Sequence, residues 1–296
     1  MEKKRLVVFL LLGLIILFCL QRPDKNFHVV FCDVGEGDAI LLIQKNNQIL
    51  VDGGPGSSVL KCLSNNVPFW DRKLEAVLLT HPDADHYSGL IEVLKRYKIE
   101  NFFAPPLGQK NDLSFKKLIS LLIDQKITPQ ALTQGDKIRV GLIDFDIFWP
   151  TKNKLKELET FQDISSFQNG FWLISESLVN NNEFSLVARA TFDQFDLLLT
   201  GDLPSNLSQT LAWQNKLPQV EILKASHHGS GADNPDELYD KTNPKLVAIS
   251  VGENNYGHPG KELLEKLKKL NIPAKRTDEK GDIEIISDGK SWWVAD

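Results

Sequence analysis

The segment Thr80-His81-Pro82-Asp83-Ala84-Asp85-His86 places two histidines and two aspartates within six residues. It directly follows residues 74–79, a largely apolar run that predicts a buried strand. Imidazole and carboxylate groups gathered at the end of a strand are suitable ligands for a divalent metal ion. A polar surface turn is the alternative, but further histidines and aspartates at later predicted strand ends favour a metal site.

Each of these later candidates follows a predicted strand. They are Asp202, His227, His228 and His258. The ends of neighbouring strands share one edge in layered α/β folds, and functional sites form at that edge. We therefore expect residues that are distant in sequence to meet in a single cleft.

The order of the predicted elements indicates the fold class. Strands are predicted over residues 27–31, 39–43 and 48–51, and helical spacing follows over residues 85–97 and 113–123. Helix and strand then alternate after residue 204, which predicts mixed sheets covered by helices. No linker after residue 26 is long enough to divide the chain, so we expect a single domain over residues 27–296.

The bulk composition is that of a globular protein. The chain has 296 residues, 42% hydrophobic residues, 25% charged residues and a net charge of −5. This charge does not favour a surface built for nucleic-acid phosphates, although a bound cation or a local group of lysines can supply a positive field. Lys224, Lys241 and Lys245 are candidates for such a positive rim, but we interpret them as ordinary solvated lysines.

Cysteine usage and the N-terminus bear on cell compartment. The three cysteines are Cys19, Cys32 and Cys62; they form no Cys-x-x-Cys pair, so neither a disulfide framework nor a thiolate zinc site is expected.

Residues 3–5 are basic and residues 6–20 carry no charge, without a small-residue cleavage site after them. Residues 1–26 are therefore interpreted as an uncleaved signal anchor and linker, with residues 27–296 on the outer face of the cytoplasmic membrane.

The motifs together resemble a known family. The segment at residues 80–86 resembles the His-x-[His/Asp]-x-Asp-His signature of the metallo-β-lactamase fold, and the whole chain is similar to the hydrolase domain at the C-terminal end of ComEC-type competence proteins. The supporting motifs, in family order, are Asp33-Val34-Gly35-Glu36-Gly37-Asp38-Ala39, Val51-Asp52-Gly53-Gly54, Leu199-Thr200-Gly201-Asp202-Leu203, Lys224-Ala225-Ser226-His227-His228-Gly229-Ser230 and Tyr256-Gly257-His258-Pro259. The resemblance implies an α/β (α+β) fold, a four-layer αββα sandwich, here with an N-terminal membrane anchor helix.

The resemblance also implies two metal ions. His81 and Asp83 would hold one ion, Asp85 and His86 the other, and Asp202 would bridge them.

Further roles follow from the later motifs. Either His227 or His228 would complete the coordination of the second ion, and the sequence does not distinguish between them. His258 would contact a substrate oxygen or donate a proton, which makes it a candidate catalytic residue together with Asp85. Asp52 would accept a hydrogen bond from a ligand histidine, or would simply form a tight turn. Asp33, Glu36 and Asp38 are interpreted as turn-formers.

Two departures from the family pattern affect which metal ion is expected and how tightly it is held. Asp83 stands where a second histidine is usual, and this harder ligand makes manganese suitable as well as zinc. No histidine lies between His86 and His227, and the nearest polar candidates, Asn182 and Ser185, would bind weakly. We therefore expect two divalent ions, with one held loosely enough to allow a one-metal resting state.

Three functions are consistent with these residues. The leading one is metal-assisted hydrolysis of a phosphodiester, for which the resemblance implies DNA as substrate. The second is hydrolysis of another phosphoester or of an ester in the cell envelope. The third is a non-catalytic binding module that retains the scaffold. No nucleotide cofactor is expected, and the oligomeric state is left open.

Overall fold

The computed structural model describes residues 22–105, 112–160 and 180–295, together with Arg5, Phe9 and Gly13. Apart from Phe9 and Gly13, the anchor predicted over residues 6–20 lies outside the described residues. Among the helices that are described, none combines the length and the apolar character needed to cross a bilayer.

The first sheet has eight strands in the order β15-β14-β1-β2-β3-β4-β5-β6. They are β1 Phe27–Phe31, β2 Ile40–Gln44, β3 Asn47–Val51, β4 Lys73–Leu78, β5 Lys98–Ala104, β6 Gln130–Ala131, β14 Ile283–Ser287 and β15 Trp292–Val294. The pairs from β3 to β6 are parallel, whereas the remaining pairs are antiparallel.

The second sheet has seven strands in the order β13-β12-β11-β10-β9-β8-β7. They are β7 Lys137–Val140, β8 Ile143–Trp149, β9 Val187–Phe192, β10 Phe195–Leu199, β11 Ile222–Lys224, β12 Leu246–Ile249 and β13 Ala274–Arg276. The strands β10 to β13 are mutually parallel, so the segments that follow them emerge at one edge of the sheet.

The described α-helices connect or flank these strands. They are α1 Val59–Asn66, α2 Ala84–Leu94, α3 Leu113–Asp124, α4 Lys152–Thr160, α5 Ser205–Trp213, α6 Asp236–Thr242, α7 Lys261–Lys269 and the short α8 Thr277–Lys280. Two short 3-10 helices, Asn181–Phe184 and His227–Gly229, precede β9 and follow β11.

Three apolar clusters hold the layers together. The first joins mainly strand residues of the two sheets, such as Phe31, Val51 and Leu197, and fills the space between the sheets. The second joins the outer face of the first sheet to α1, α2 and α3. The third joins the outer face of the second sheet to α5, α6 and α7. The expected mixed α/β fold with two sheets covered by helices is therefore confirmed.

A close backbone contact fixes the start of α2 beside the end of β3. The Gly53 amide donates to the His86 carbonyl at 2.7 Å, and the Gly89 amide donates to the Gly54 carbonyl at 2.8 Å. A β-carbon at Gly89 would lie 1.9 Å from the Gly53 oxygen, so only glycine allows this approach. His86 is thereby held against the turn that contains Asp52.

The described residues include a disulfide, although the sequence predicts no disulfide framework. Cys32 and Cys62 are bonded, with their Cα atoms 5.7 Å apart. Cys32 follows β1 and Cys62 lies on the buried face of α1, and the two meet because α1 packs on the outer face of the first sheet. The sequence gives no signal for this pairing because the two cysteines are 30 residues apart.

Candidate metal site

One oxygen of Asp202 lies at the centre of a group of imidazoles. Asp202 follows β10 and is 2% exposed, and its amide donates to Ser185 Oγ at 3.1 Å. The Nε2 atoms that face its Oδ2 belong to His86 at 3.2 Å, His228 at 3.4 Å, His227 at 3.8 Å and His81 at 3.9 Å. Segments that follow β4, β10 and β11 therefore meet in the cleft between the two sheets' edges, as the strand-end argument predicts.

The other ring nitrogen of each imidazole is held by an oxygen atom. These Nδ1 contacts are His86 with Asp52 Oδ2 at 2.9 Å, His81 with Thr80 Oγ1 at 3.1 Å, His227 with Asp233 Oδ2 at 2.8 Å and His228 with the Ser250 carbonyl at 3.1 Å. A carboxylate or carbonyl oxygen can only accept, so its partner Nδ1 carries the proton. Thr80 Oγ1 donates to Asp52 Oδ2 at 2.6 Å, and so it accepts from His81.

This pattern suits a cation. With Nδ1 protonated, each neutral ring directs the Nε2 lone pair at a carboxylate oxygen, and such an arrangement needs a proton or a metal ion between the donors. His81 Nε2 and Asp202 Oδ1 are fully buried and have no hydrogen-bond partner among the described residues. The residues present therefore fit a divalent ion that takes nitrogen and oxygen ligands.

The two aspartates of the 80–86 segment lie on different sides of this group. Asp85 Oδ2 is 3.2 Å from His228 Nε2 and 3.8 Å from His86 Nε2. Asp83 Oδ2 is 3.5 Å from His81 Nε2, and Asp83 Oδ1 accepts a hydrogen bond from Asn181 Nδ2 at 2.8 Å.

The mid-chain segment, residues 180–185, supports Asp83 and Asp202 by hydrogen bonds and adds no imidazole. Asn181 is the residue of this segment that reaches Asp83. Ser185 is fully buried and accepts the Asp202 amide proton. Fewer potential metal ligands therefore surround His81 than surround the group of Asp85, His86 and His228.

The interpretation of Lys224 as a solvated lysine is wrong. Lys224 is 1% exposed, and its Nζ contacts the Asp38 carboxylate, donates to the Gly201 carbonyl at 2.9 Å and lies 3.6 Å from Asp202 Oδ1. These three oxygen groups surround the ammonium because Lys224 ends β11, beside the end of β10. A buried ammonium is stable only when it is paired in this way.

Asp38 is also more than a turn-former. It belongs, with His86, Asp202 and His228, to a set of potential metal donors within 4.8 Å of one another. Its oxygens, however, lie 3.6 Å from His228 Nδ1 and 3.8 Å from His86 Nδ1, behind the rings, and Lys224 neutralises it. We therefore place Asp38 in the charged layer that supports the imidazoles.

The charges of the cluster shift its proton equilibria. Burial alone would lower the pKa of His86 and His228, but Asp202 together with Asp52 at His86, and with Asp38 and Asp85 at His228, raises both pKa values well above the usual range. Burial would raise the pKa of Asp202, yet His228, His86 and Lys224 hold that pKa well below its usual value. Burial likewise opposes the charge of Lys224, and Asp38 and Asp202 reverse this effect and raise the pKa of Lys224.

An open cleft of about 770 Å³ gives access to the cluster. Its lining includes Asp85, His227, His228 and His258. The His258 ring lies 5.4 Å from the His227 ring, and its Nδ1 contacts Glu36 Oε1 at 2.8 Å. Glu36, interpreted from the sequence as a turn-former, therefore orients His258, which lies one ring further from Asp202 than the other candidates.

Comparison with known proteins agrees with this arrangement. The sequence model described as the metallo-beta-lactamase superfamily matches residues 32–108. The crystal structure of the metallo-beta-lactamase fold protein YhfI from Bacillus subtilis superposes with a TM-score of 0.55 at 13% identity, over 87% of this chain and 99% of that one. The fold is that of the metallo-β-lactamase superfamily.

Two curated relatives extend the similarity along the chain. ComE operon protein 3 of Bacillus subtilis (strain 168) is 25% identical over 91% of this chain and 34% of its own length. Recombination protein 2 of Haemophilus influenzae (strain ATCC 51907 / DSM 11121 / KW20 / Rd) is 24% identical over 93% of this chain and 31% of its own. The chain is thus similar to these two relatives over most of its own length and spans about a third of theirs.

The raised pKa values of His86 and His228 predict that a metal ion stabilises the fold more at high pH than at low pH. Imidazolium–Asp202 pairs stabilise the metal-free fold below the unfolded histidine pKa of about 6.5, and this stability is lost as pH rises through the raised pKa values of His86 and His228. Mn²⁺ or Zn²⁺ needs the deprotonated nitrogens. We expect either ion to raise Tm more at about pH 8 than at about pH 5.5, as measured by differential scanning fluorimetry.

The test variant is Asp202→Asn, which removes the central charge. Its matched control is Asp144→Asn, which alters an exposed ion pair that involves β8. The first should lose the metal-dependent rise in Tm and the second should keep it. A rise of equal size at both pH values, or one that survives Asp202→Asn, would contradict this site.

Proposed function

We propose that the chain is a phosphodiesterase that hydrolyses DNA. The convergence of four Nε2 atoms on Asp202 carries this proposal, together with Asp83 and Asp85 beside these imidazoles and an open cleft lined by His227 and His228. The resemblance to ComEC-type hydrolase domains supports DNA as the substrate. The net charge of −5 means that cations bound in the cleft would supply the attraction for phosphate.

We assign the donors to two sets that share Asp202. His86, His228 and Asp85 would hold the tighter ion, because two buried imidazoles and a carboxylate face one another there at 3.2–3.8 Å. His81 and Asp83 would hold a weaker ion, since the mid-chain segment adds no imidazole. His227 flanks both sets, and Asp52 fixes the tautomer of His86.

Divalent ions at this site would lower the pKa of bound water to about 7 and stabilise negative charge on phosphate oxygens. The chain's own residues supply orientation and proton transfer. Glu36 accepts the Nδ1 proton of His258, so His258 in its imidazolium form would give its Nε2 proton to the leaving oxygen. Asp85, with a 38% exposed side chain, is the carboxylate most open to the cleft and would orient the attacking group.

The proposal predicts hydrolysis of a single-stranded oligonucleotide and of bis-p-nitrophenyl phosphate by the purified full-length chain with Mn²⁺ or Zn²⁺. Asp202→Asn and His228→Gln should each lower kcat/KM at least about 100-fold, because each removes a donor at the centre of the site. Asp144→Asn should leave the rate unchanged. Circular dichroism would verify that all variants are folded.

The outcomes separate the alternatives. A wild-type rate no higher than that of Asp202→Asn on every substrate would contradict hydrolysis and favour a binding module. Hydrolysis of the small diester without cleavage of DNA would contradict the substrate and favour another phosphoester.

We also propose that the hydrolase domain lies outside the cytoplasmic membrane, anchored by residues 6–20. The basic flank at residues 3–5 and the Cys32–Cys62 disulfide support this location, since structural disulfides persist in oxidising compartments. External protease should degrade residues 27–296 in intact spheroplasts while a cytoplasmic marker survives. Degradation that occurs only after permeabilisation would contradict the proposed location.

A further inference from the structure

Tyr256 stands at the rim of the cleft with its ring in solvent. The residue is 79% exposed and lines the same cleft as Asp85, His227 and His228. We propose that Tyr256 is a stacking platform for one base of single-stranded DNA, next to the phosphate that is cleaved. This inference rests on the proposed function and adds a nucleobase subsite to it.

The loop that carries Tyr256 is fixed by the Asn254 side chain. Asn254 Oδ1 accepts the amide protons of Tyr256 at 3.0 Å, Gly257 at 2.9 Å and His258 at 3.0 Å. Asn254 Nδ2 donates to the carbonyls of Gly252 and His258, both at 2.9 Å. Five hydrogen bonds from one side chain hold the loop in shape, so Tyr256 is displayed by a pre-organised backbone rather than by burial of its ring.

The base of this loop is also held in place. The Gly252 amide donates to Glu36 Oε2 at 3.0 Å, and the other oxygen of Glu36 contacts His258. A β-carbon at Gly252 would lie 2.3 Å from the Gly35 carbonyl carbon, so the two loops pack backbone against backbone. The position of Tyr256 is thus coupled to the position of His258.

The ring is arranged as the outer member of a stack that leads to the cluster. Tyr256 stacks on His258 at 5.7 Å with an interplanar angle of 29°. The His258 ring is in turn 6.2 Å from that of His228, whose Nε2 faces Asp202. A phosphate bound at the cluster and a flat group bound on Tyr256 would therefore be close neighbours.

Nucleobases are the flat groups that accompany a phosphodiester, and unpaired bases stack on exposed aromatic rings. In a duplex each base is already stacked and paired, so the platform favours single strands. Stacking also gives binding energy without positive side chains, which suits a chain with a net charge of −5.

The test compares Tyr256→Ala, Tyr256→Phe and a control, Trp213→Ala, in the full-length chain with Mn²⁺. Trp213 ends α5, is 69% exposed and does not line the cleft. Each protein would be assayed on a single-stranded oligonucleotide and on an abasic strand of equal length, which keeps the phosphates and lacks the bases. Binding of both strands would be measured by fluorescence anisotropy.

We expect Tyr256→Ala to raise KM and Kd for the ordinary strand about tenfold with little change in kcat, because only base stacking is lost. The abasic strand should show no such change, Tyr256→Phe should behave like wild type, and so should Trp213→Ala. An equal loss on both strands would indicate a structural role and overturn the platform, as would an unchanged KM.

Binding and cleavage distinguish this inference from the proposed function. Tyr256-dependent binding of single strands without any cleavage would support the platform and contradict the nuclease. Cleavage that is unaffected by Tyr256→Ala would support the nuclease and contradict the platform. Absence of both binding and cleavage would overturn both.

Discussion

The site depends on the contact between Asp202 Oδ2 and the Nε2 atoms of four histidines, the nearest at 3.2 Å. Each ring is turned by an acceptor at its other nitrogen, and these acceptors come from different segments: Asp52, Thr80, Asp233 and the Ser250 carbonyl. The Nε2 atoms of the four imidazoles therefore face one oxygen because several strand ends meet there. A protein that needed only a polar turn at residues 80–86 would have no reason to fix four rings in this way.

Beneath the rings, Lys224 and Asp38 balance the negative charge of the cluster. Both are almost fully buried, at 1% exposure each. Lys224 approaches Asp202 Oδ1, so the oxygen that faces the imidazoles is Oδ2. Removal of either partner would leave a buried, unpaired charge, which is among the costliest changes a protein can suffer. The same pair thus gives the site both its orientation and its rigidity.

Much of this arrangement is predictable from the sequence because it follows from strand ends. The apolar runs before His81, Asp202 and His227 are visible in the sequence, and the end of β4 in the first sheet meets the ends of the parallel strands β10 and β11 in the second. The burial of Lys224 is not predictable in this way, because a lysine at a strand end usually reaches solvent and its buried partners come from distant segments. The Cys32–Cys62 bond and the strand Lys98–Ala104 were missed for a related reason. The first depends on a distant contact, and the second is a pattern of mixed polarity whose strand state is set by its neighbour β4.

The most direct test of the account is the tautomer of each histidine in the zinc-loaded protein, measured by long-range ¹H–¹⁵N correlation spectra. The fixed acceptors predict that His81, His86, His227 and His228 all carry the proton on Nδ1, and that the Nε2 signals of His86 and His228 shift when zinc is added. Protons on Nε2 of His86 and His228, unchanged by zinc, would show that these rings do not face a common ion and would contradict the account.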